Sequence, residues 1–136
     1  EGYRTFFSRC HSWLKPEGWM SLQTMLYENS CKEDFSQFCA EEIFPESDLP
    51  HLWEIAKASD KLFEIVALRN DREHYARTYQ AWYKNLKANW KEAVSLVGEE
   101  TAARYEKYFG LFMIGFHTGT MNLARITMRR IDNPRQ

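Results

Sequence analysis

The chain has 136 residues, of which 44% are hydrophobic and 15% aromatic, and its formal net charge is -1. A chain of this length is expected to fold as one domain with a sizeable core. The near-neutral charge argues against a dedicated nucleic-acid-binding protein, which usually carries a basic excess.

The cysteines and histidines follow no disulfide or ligand pattern. Cys10, Cys31 and Cys39 form no CxxC pair and are odd in number, so we expect reduced thiols in a cytosolic protein. The histidines are scattered, and no metal site is expected. The most apolar run, YFGLFMIGF, is far shorter than the ~20 residues of a membrane span, so at most peripheral membrane contact is expected. The first residues lack a signal-peptide layout and an initiator Met, as if a preceding segment had been removed.

The first half of the chain predicts a helix, a turn and a strand, followed by a short helix. In GYRTFFSRCHSWLK, apolar residues recur every three or four positions, as on one face of a helix. Pro16 and Gly18 end this helix, and the apolar run at 19–27 has the length of a buried strand. After a polar connector, Asp34 is placed to cap a short helix in FSQFCAEEIF.

The second half predicts three further helices and two strands. Pro50 stands in the first turn of a helix in PHLWEIAKASD, and LFEIVALRN alternates as a strand does. Two long helices follow at about 72–97 and 99–117, separated near Gly98, and TMNLARITMRR predicts a last buried strand. Three strands cannot form a self-contained sheet under this many helices, so the sequence predicts the C-terminal half of an α/β fold.

Aromatic residues are the most distinctive feature, because no phosphate-binding loop and no nucleophile motif is present. Along the predicted helix at 72–97 and its successor, rings recur at helical spacing. Such a stripe is either a core packed on the sheet or, in part, the wall of a cavity for an acyl or prenyl chain or a developing cation, which ring faces attract. The spacing leaves both interpretations open. The stripe comprises Tyr75, Tyr79, Trp82, Leu86 and Trp90, and then Tyr105, Tyr108, Phe109, Phe112 and Phe116.

Four stretches resemble the last half of cyclopropane fatty acid synthases, including the mycolic acid cyclopropane synthases: FFSRCHSWLKPEGWMSLQTM, EEIFPESDLP, HYARTYQAWYKNL and RYEKYFGLFMIGFHTGTMNLARITMRR. Members of that family are S-adenosylmethionine-dependent methyltransferases on a Rossmann-like seven-stranded sheet. They transfer a sulfonium methyl group to a cis double bond of an acyl chain, and loss of a proton to bicarbonate then closes the ring. The resemblance therefore implies an enzyme, a methyltransferase of lipid biosynthesis with S-adenosyl-L-methionine as its cofactor.

The resemblance places the candidate catalytic residues at Tyr75 and Gln23. Tyr75, in HYART, matches the family's bicarbonate-contacting tyrosine, and Gln23, in MSLQTM, stands where the family has an anion-contacting histidine. The family's backbone contact falls two residues further on, at Met25. An amide donates a hydrogen bond but carries no charge and does not titrate near neutral pH. The replacement therefore weakens the case for bicarbonate and favours plain methylation over ring closure.

Three aromatic residues are expected to line the acceptor pocket: Trp82, Phe112 and Phe116. Phe112 aligns with a cysteine that is often named as an active-site residue of the family. A ring at this position implies that no thiol is required, and it adds one more face that tolerates a cation.

By the same resemblance, residues 1–136 are the C-terminal part of a single methyltransferase domain. They comprise strands five to seven, with strand seven antiparallel between five and six, and the helices at 72–117 as a cap on the substrate side. In this fold the first strands and the Gly-rich loop after strand one bind the cofactor, and neither is in these residues. We therefore expect a missing N-terminal half or a second polypeptide to supply the cofactor site, and this chain alone to be inactive.

Three other interpretations stay open. The replacement at Gln23 favours a methyltransferase of specialised metabolism that methylates carbon or nitrogen of a polyketide, a terpenoid or an amine. The missing cofactor loop favours a non-catalytic half-domain that completes a partner methyltransferase chain. The third is a packing piece with no independent role.

Overall fold

The computed structural model describes residues 2–31, 34 and 48–133. The three predicted strands are confirmed, as are the predicted helices at the start of the chain, before the second strand and before the third. The short helix predicted at 35–44, with the remaining cysteine, Cys39, lies outside the described residues. The elements are α1 (Gly2–Trp13), β1 (Trp19–Leu26), α2 (Leu52–Ser59), β2 (Phe63–Asn70), α3 (Arg72–Ala88), α4 (Trp90–Val97), α5 (Glu99–Thr118) and β3 (Asn122–Arg130).

The prediction of one continuous helix at 72–97 is wrong, because the helix is interrupted at Asn89. Asn89 has φ -113° and ψ 30°. Its side-chain amide donates to the Asn85 carbonyl at 2.9 Å, which its own backbone N–H also bonds at 3.1 Å. An asparagine side chain competes in this way with the backbone ladder of a helix. The chain resumes as α4, which packs against α5.

The strands form a sheet in the order β1-β3-β2, and β3 is antiparallel to both neighbours. This confirms the prediction that the last strand is inserted antiparallel between the two earlier ones. The register sets Gln23 opposite Arg125, and Arg125 opposite Arg69. A shift between Ile65 and Ala67 marks an irregularity in β2 that leaves this row intact.

Two hydrophobic clusters cover opposite faces of the sheet. The first packs α1 and α2 against the strands and includes Phe7, Leu26 and Ile55. The second, which we call the aromatic core, packs α3 and α5 against the other face. Neighbouring residues of a strand point to opposite faces, so Leu26 belongs to the first cluster and Tyr27 to the second. The aromatic core consists of Tyr27, Ala76, Tyr79, Phe112, Phe116, Met121 and Leu123.

Within the described ranges, the outer edge of β1 is open. Among the described residues this strand pairs along its length with β3 alone. A groove of about 590 Å³ lies beside it, and its lining includes Tyr3, Phe6, Leu22 and Gln23. A long unpaired edge flanked by apolar side chains is typical of a sheet that continues into further strands or is covered by other elements.

Candidate functional site

Tyr75 lies in the first turn of α3, and the start of this helix is tied to two other elements. The backbone N–H of Asp71 donates to the Leu123 carbonyl of β3 at 2.8 Å. The guanidinium of Arg72 donates to two carbonyls in the last turn of α5, at 2.9 and 2.7 Å, where carbonyls lack partners within the helix. Tyr75 is therefore held against both the sheet and α5.

The ring of Tyr75 packs against the aromatic core, whereas its hydroxyl makes no hydrogen bond within the described ranges. The ring meets those of Tyr79 and Phe116 edge-on, with centroids 5.2 and 5.0 Å apart, a favourable geometry for aromatic pairs. One turn further along α3, the Tyr79 hydroxyl shares a hydrogen bond of 2.8 Å with the Tyr108 hydroxyl. Within the described part of the chain, the Tyr75 hydroxyl has no hydrogen-bond partner.

The three rings expected to line a pocket differ in burial. Phe112 and Phe116 are 2% and 0% exposed and pack around Tyr79. Trp82 is 42% exposed and meets Tyr79 edge-on, with centroids 4.9 Å apart. The two phenylalanines thus form core in the described structure, and Trp82 presents an open ring at the same cluster. The role of all three in an acceptor pocket stays a prediction.

Gln23 and Met25 lie on β1, on the sheet face that carries the aromatic core. Met25 is partly buried against that core, as Tyr75 is. Gln23 comes two residues earlier, so its side chain stands on the same face about 7 Å further along the strand, and it is exposed. The structure therefore brings Met25 and Tyr75 into one cluster and places Gln23 at the open margin of that cluster.

A charged row lies beside Gln23. Arg125 on β3 and Arg69 on β2 both bind the same oxygen of Asp71, Arg125 through Nε at 2.6 Å and Arg69 through two nitrogens at 3.0 Å. The Asp71 side chain is 8% exposed. The hydrogen bond from Arg69 is the largest cause that lowers the pKa of Asp71, and the charges of both arginines add to it, whereas burial acts in the opposite direction.

The sequence interpretation missed this row. Arg69 and Asp71 are two residues apart at the end of a predicted strand, so both side chains are expected on the same face of the sheet. This spacing could have predicted their ion pair. Arg125 joins them only through the register of β3, which no local pattern reveals.

The arrangement combines hydrogen-bond donors with ring faces. The Tyr75 hydroxyl and the Gln23 amide can each donate to an oxyanion or to a polar atom of an acceptor. The exposed face of Trp82 attracts positive charge. Among the described residues no group of His, Cys, Asp and Glu has the geometry of a metal site. Of the helices in the described ranges, none has the length and apolar character needed to cross a bilayer.

The family model for mycolic acid cyclopropane synthetase matches residues 1–126. The chain belongs to this family. The S-adenosylmethionine-dependent methyltransferase UmaA of Mycobacterium tuberculosis is 33% identical, over 96% of this chain and 50% of that protein. Cyclopropane mycolic acid synthase 1 of the same organism is 32% identical over the same shares. This member of the cyclopropane synthetase family thus spans about half the length of the curated relatives that it matches.

Two solved structures of the cyclopropane synthetase family superimpose closely on the chain. The mycolic acid cyclopropane synthase CmaA1, complexed with SAH and CTAB, gives a TM-score of 0.87 at 28% identity, over 94% of this chain and 50% of that one. The cyclopropane synthase MmaA2 from Mycobacterium tuberculosis gives 0.84 at 26% identity, over the same shares. The predicted α/β fold class is confirmed, and the three-stranded sheet fits the C-terminal half of a Rossmann-like methyltransferase domain.

Proposed function

We propose that this chain forms the acceptor side of a methyltransferase that transfers a methyl or methylene group from S-adenosylmethionine to an alkene or another apolar acceptor. Membership of the cyclopropane synthetase family supports the reaction class. The observation that carries the assignment to particular residues is the Tyr75 hydroxyl. This hydroxyl lies at the aromatic core and has no hydrogen-bond partner among the described residues. By contrast, the hydroxyl of Tyr79, one turn away, is hydrogen-bonded to the hydroxyl of Tyr108.

The cofactor site is proposed to lie mainly outside this chain. No Gly-rich loop follows a strand in the sequence, although such a loop cradles the cofactor in folds of this type. The open edge of β1 and the groove beside Tyr3 and Phe6 offer a surface on which a cofactor-binding half can continue the sheet. We call the unit of this chain and such a half, from the same polypeptide or from a partner, the assembled enzyme.

The residues of this chain act on the acceptor, and the cofactor when bound supplies the methyl group. As a methyl group bonds to one alkene carbon, positive charge develops on the other. A ring face such as that of Trp82 attracts this charge by ~0.5–2 kcal/mol when water is excluded. Tyr75 orients an anion or the acceptor by a hydrogen bond, and Gln23 donates at the same margin. Met25, Phe112 and Phe116 form the apolar backing of the site.

For an alkene acceptor, the product is proposed to be a methyl-branched alkene rather than a cyclopropane. The carbocation then loses its proton to water from a carbon next to the charged one, instead of losing it from the transferred methyl group to a base held in the site. A Gln23 amide cannot accept a proton near neutral pH, so no proton relay runs through this position. Because Gln23 replaces the family's anion-contacting histidine, the case for bicarbonate as the base is weaker than in the family. The cytosolic location and the peripheral character of any membrane contact also stay predictions.

Two other functions have a specific observation in their favour. An amide at position 23 suits a small-molecule C- or N-methyltransferase, whose acceptor can carry its own polar group. The open β1 edge suits a non-catalytic half-domain that completes a partner methyltransferase chain.

The deciding experiment is native mass spectrometry of the purified protein together with calorimetric S-adenosylmethionine binding on the same sample. We expect binding whenever the cofactor-binding half is present, and methyl transfer to a monounsaturated acyl chain in preference to an amine. Cyclopropane and methyl-branched products gain the same CH₂, so proton NMR is needed to separate them. Preference for the amine supports the small-molecule alternative, and an assembly that binds cofactor through the other half but transfers no methyl group supports the non-catalytic one.

A further inference from the structure

The outer edge of β2 is the second edge of the sheet in the described part of the chain. Among the described residues, β2 pairs along its length with β3 alone. The cofactor-binding half is proposed to continue the sheet at β1, on the opposite side, so it leaves the β2 edge uncovered. Every residue of β2 after Phe63 is exposed.

The β2 edge is apolar although it faces water. Ile65, Val66 and Leu68 are between 38% and 47% exposed. The strand has eight residues and contains no Lys or Pro, which are the residues that natural proteins commonly use to block an exposed edge. An edge with this length and composition is suited to pairing with a strand of another chain.

The register shift in β2 brings two opposite charges to the same face of the sheet. Residues five apart in a regular strand point to opposite faces. Glu64 and Arg69 are five apart, but they lie opposite Arg129 and Arg125 of β3, which are four apart and therefore share a face. The extra residue of the β2 irregularity accounts for this change.

The same shift brings two aliphatic side chains together on the other face. Ile65 lies opposite Met128, and Leu68 lies opposite Ile126. Met128 and Ile126 both belong to the cluster that packs α1 and α2 against the sheet. Ile65 and Leu68 therefore continue that face towards the open edge.

These positions make the β2 edge complementary to itself. When two copies of β2 pair antiparallel about a two-fold axis, residues on the same face meet, and each contact occurs twice. Glu64 of each copy then faces Arg69 of the other, and Ile65 faces Leu68. The two pairs have the same midpoint in the sequence, so one register satisfies both of them.

The charged groups that would meet have capacity for a further bond. Glu64 binds Arg129 through Oε2 at 2.6 Å, and Arg69 binds Asp71 through Nε and one terminal nitrogen at 3.0 Å. Within the described ranges, the second oxygen of Glu64 and the second terminal nitrogen of Arg69 have no partner. The Arg69 side chain is 72% exposed, so it can reach a carboxylate on a neighbouring strand.

We infer that two copies of this protein associate through β2, with the two-fold axis between Val66 and Ala67. The three strands of each copy then form one continuous sheet, and the two β1 edges stay free at its outer ends for the cofactor-binding halves. This inference goes beyond the proposed function and does not require methyl transfer. The paired edges bury a small area, so the expected dissociation constant is on the order of 10–100 µM.

The test is sedimentation velocity of the assembled enzyme over a concentration range that spans this constant. Glu64→Lys and Arg69→Glu each place like charges opposite one another twice, and each should weaken dimerisation by at least ~10-fold. In a mixed dimer of the two variants, both charge pairs are attractive again. An equimolar mixture should therefore dimerise about as well as the natural protein. A natural protein that stays monomeric, or a mixture that does not recover, overturns the inference.

A second pair of variants keeps the test decisive if Arg69→Glu does not fold. Leu68→Lys places a charge against Ile65 of the other copy and should also weaken dimerisation by at least ~10-fold. Leu96→Lys is the matched control, because it makes the same change at a 76% exposed position of α4, and it should leave the dimer intact. Equal weakening by both variants, or an unchanged dimer in Leu68→Lys, overturns the inference.

Discussion

Tyr75 and Tyr79 are one helical turn apart, and their hydroxyl groups have opposite environments, which allows a paired test. Tyr79→Phe removes the hydrogen bond of 2.8 Å to Tyr108 and is expected to cost about 1 kcal/mol in the free energy of unfolding. Tyr75→Phe breaks no described hydrogen bond and leaves the ring contacts intact, so its expected cost is below ~0.5 kcal/mol.

Turnover should respond in the reverse order. If the Tyr75 hydroxyl donates to an anion or acceptor in the transition state, Tyr75→Phe should lower the turnover of the assembled enzyme by about 100-fold. Tyr79→Phe should leave turnover essentially unchanged. The assay pairs urea unfolding with single-turnover methyl transfer on the same preparations. Unchanged turnover in Tyr75→Phe would refute its catalytic role and assign its ring to the core alone. A large stability loss in Tyr75→Phe would show that its hydroxyl has a structural partner.

Three further predictions concern stability, each measured by chemical unfolding. Phe116→Ala empties a fully buried site and should cost about 3–5 kcal/mol, whereas Ile114→Ala, at an exposed position of the same helix, should cost less than ~1 kcal/mol. Gly98→Ala should cost ~1–3 kcal/mol, although the added methyl meets nothing within 4 Å, because φ is 87°. The lowered pKa of Asp71 should stabilise the fold fully above its unfolded value of about 3.8, and this contribution should disappear as pH falls through the lower folded pKa.

Each of these predictions has a result that contradicts it. Equal losses in Phe116→Ala and Ile114→Ala would mean that the aromatic core is not the packed centre of α5. Gly2→Ala, where the methyl also meets nothing within 4 Å and the backbone is helical, serves as the control for Gly98; equal effects would remove the backbone explanation. For Asp71, the stability difference between the natural protein and Asp71→Asn should narrow as pH falls below 3.8, and a difference that stays constant would contradict the ion-pair assignment.

The strands were predictable from their local sequence patterns, although Leu26 is the one buried residue of β1 and Phe63 the one buried residue of β2. β1 and β3 are apolar runs bounded by turn residues, and both face a core on each side of the sheet. The aromatic stripe was also predictable as a stripe, but its spacing does not reveal which rings end inside the cluster and which at its surface. Phe116 is fully buried and Trp82 is partly exposed, because burial depends on which other elements pack over each ring.

Local sequence patterns could not predict the helix break at Asn89 or the charged row on the sheet. Asn89 ends the helix through a side-chain hydrogen bond to the preceding turn. Many helices contain an asparagine without ending there, so the residue alone does not predict the break. The row of Gln23, Arg125 and Arg69 exists because three distant strands share one register. Register is a tertiary property, set by the packing of both faces at once.

The position of β3 has a consequence for how the chain is made. Of the three strands in the described ranges it comes last along the chain and lies between the other two, so β1 and β2 have no ladder between them until it is synthesised. Closing the sheet also joins segments as distant as His11 and Ile131, which are 120 residues apart and in hydrogen-bond contact. Contacts of such long range form slowly, because loop entropy is lost before they form. In a ribosome-bound chain, the edges of β1 and β2 that face β3 therefore stay unpaired and aggregation-prone until β3 emerges.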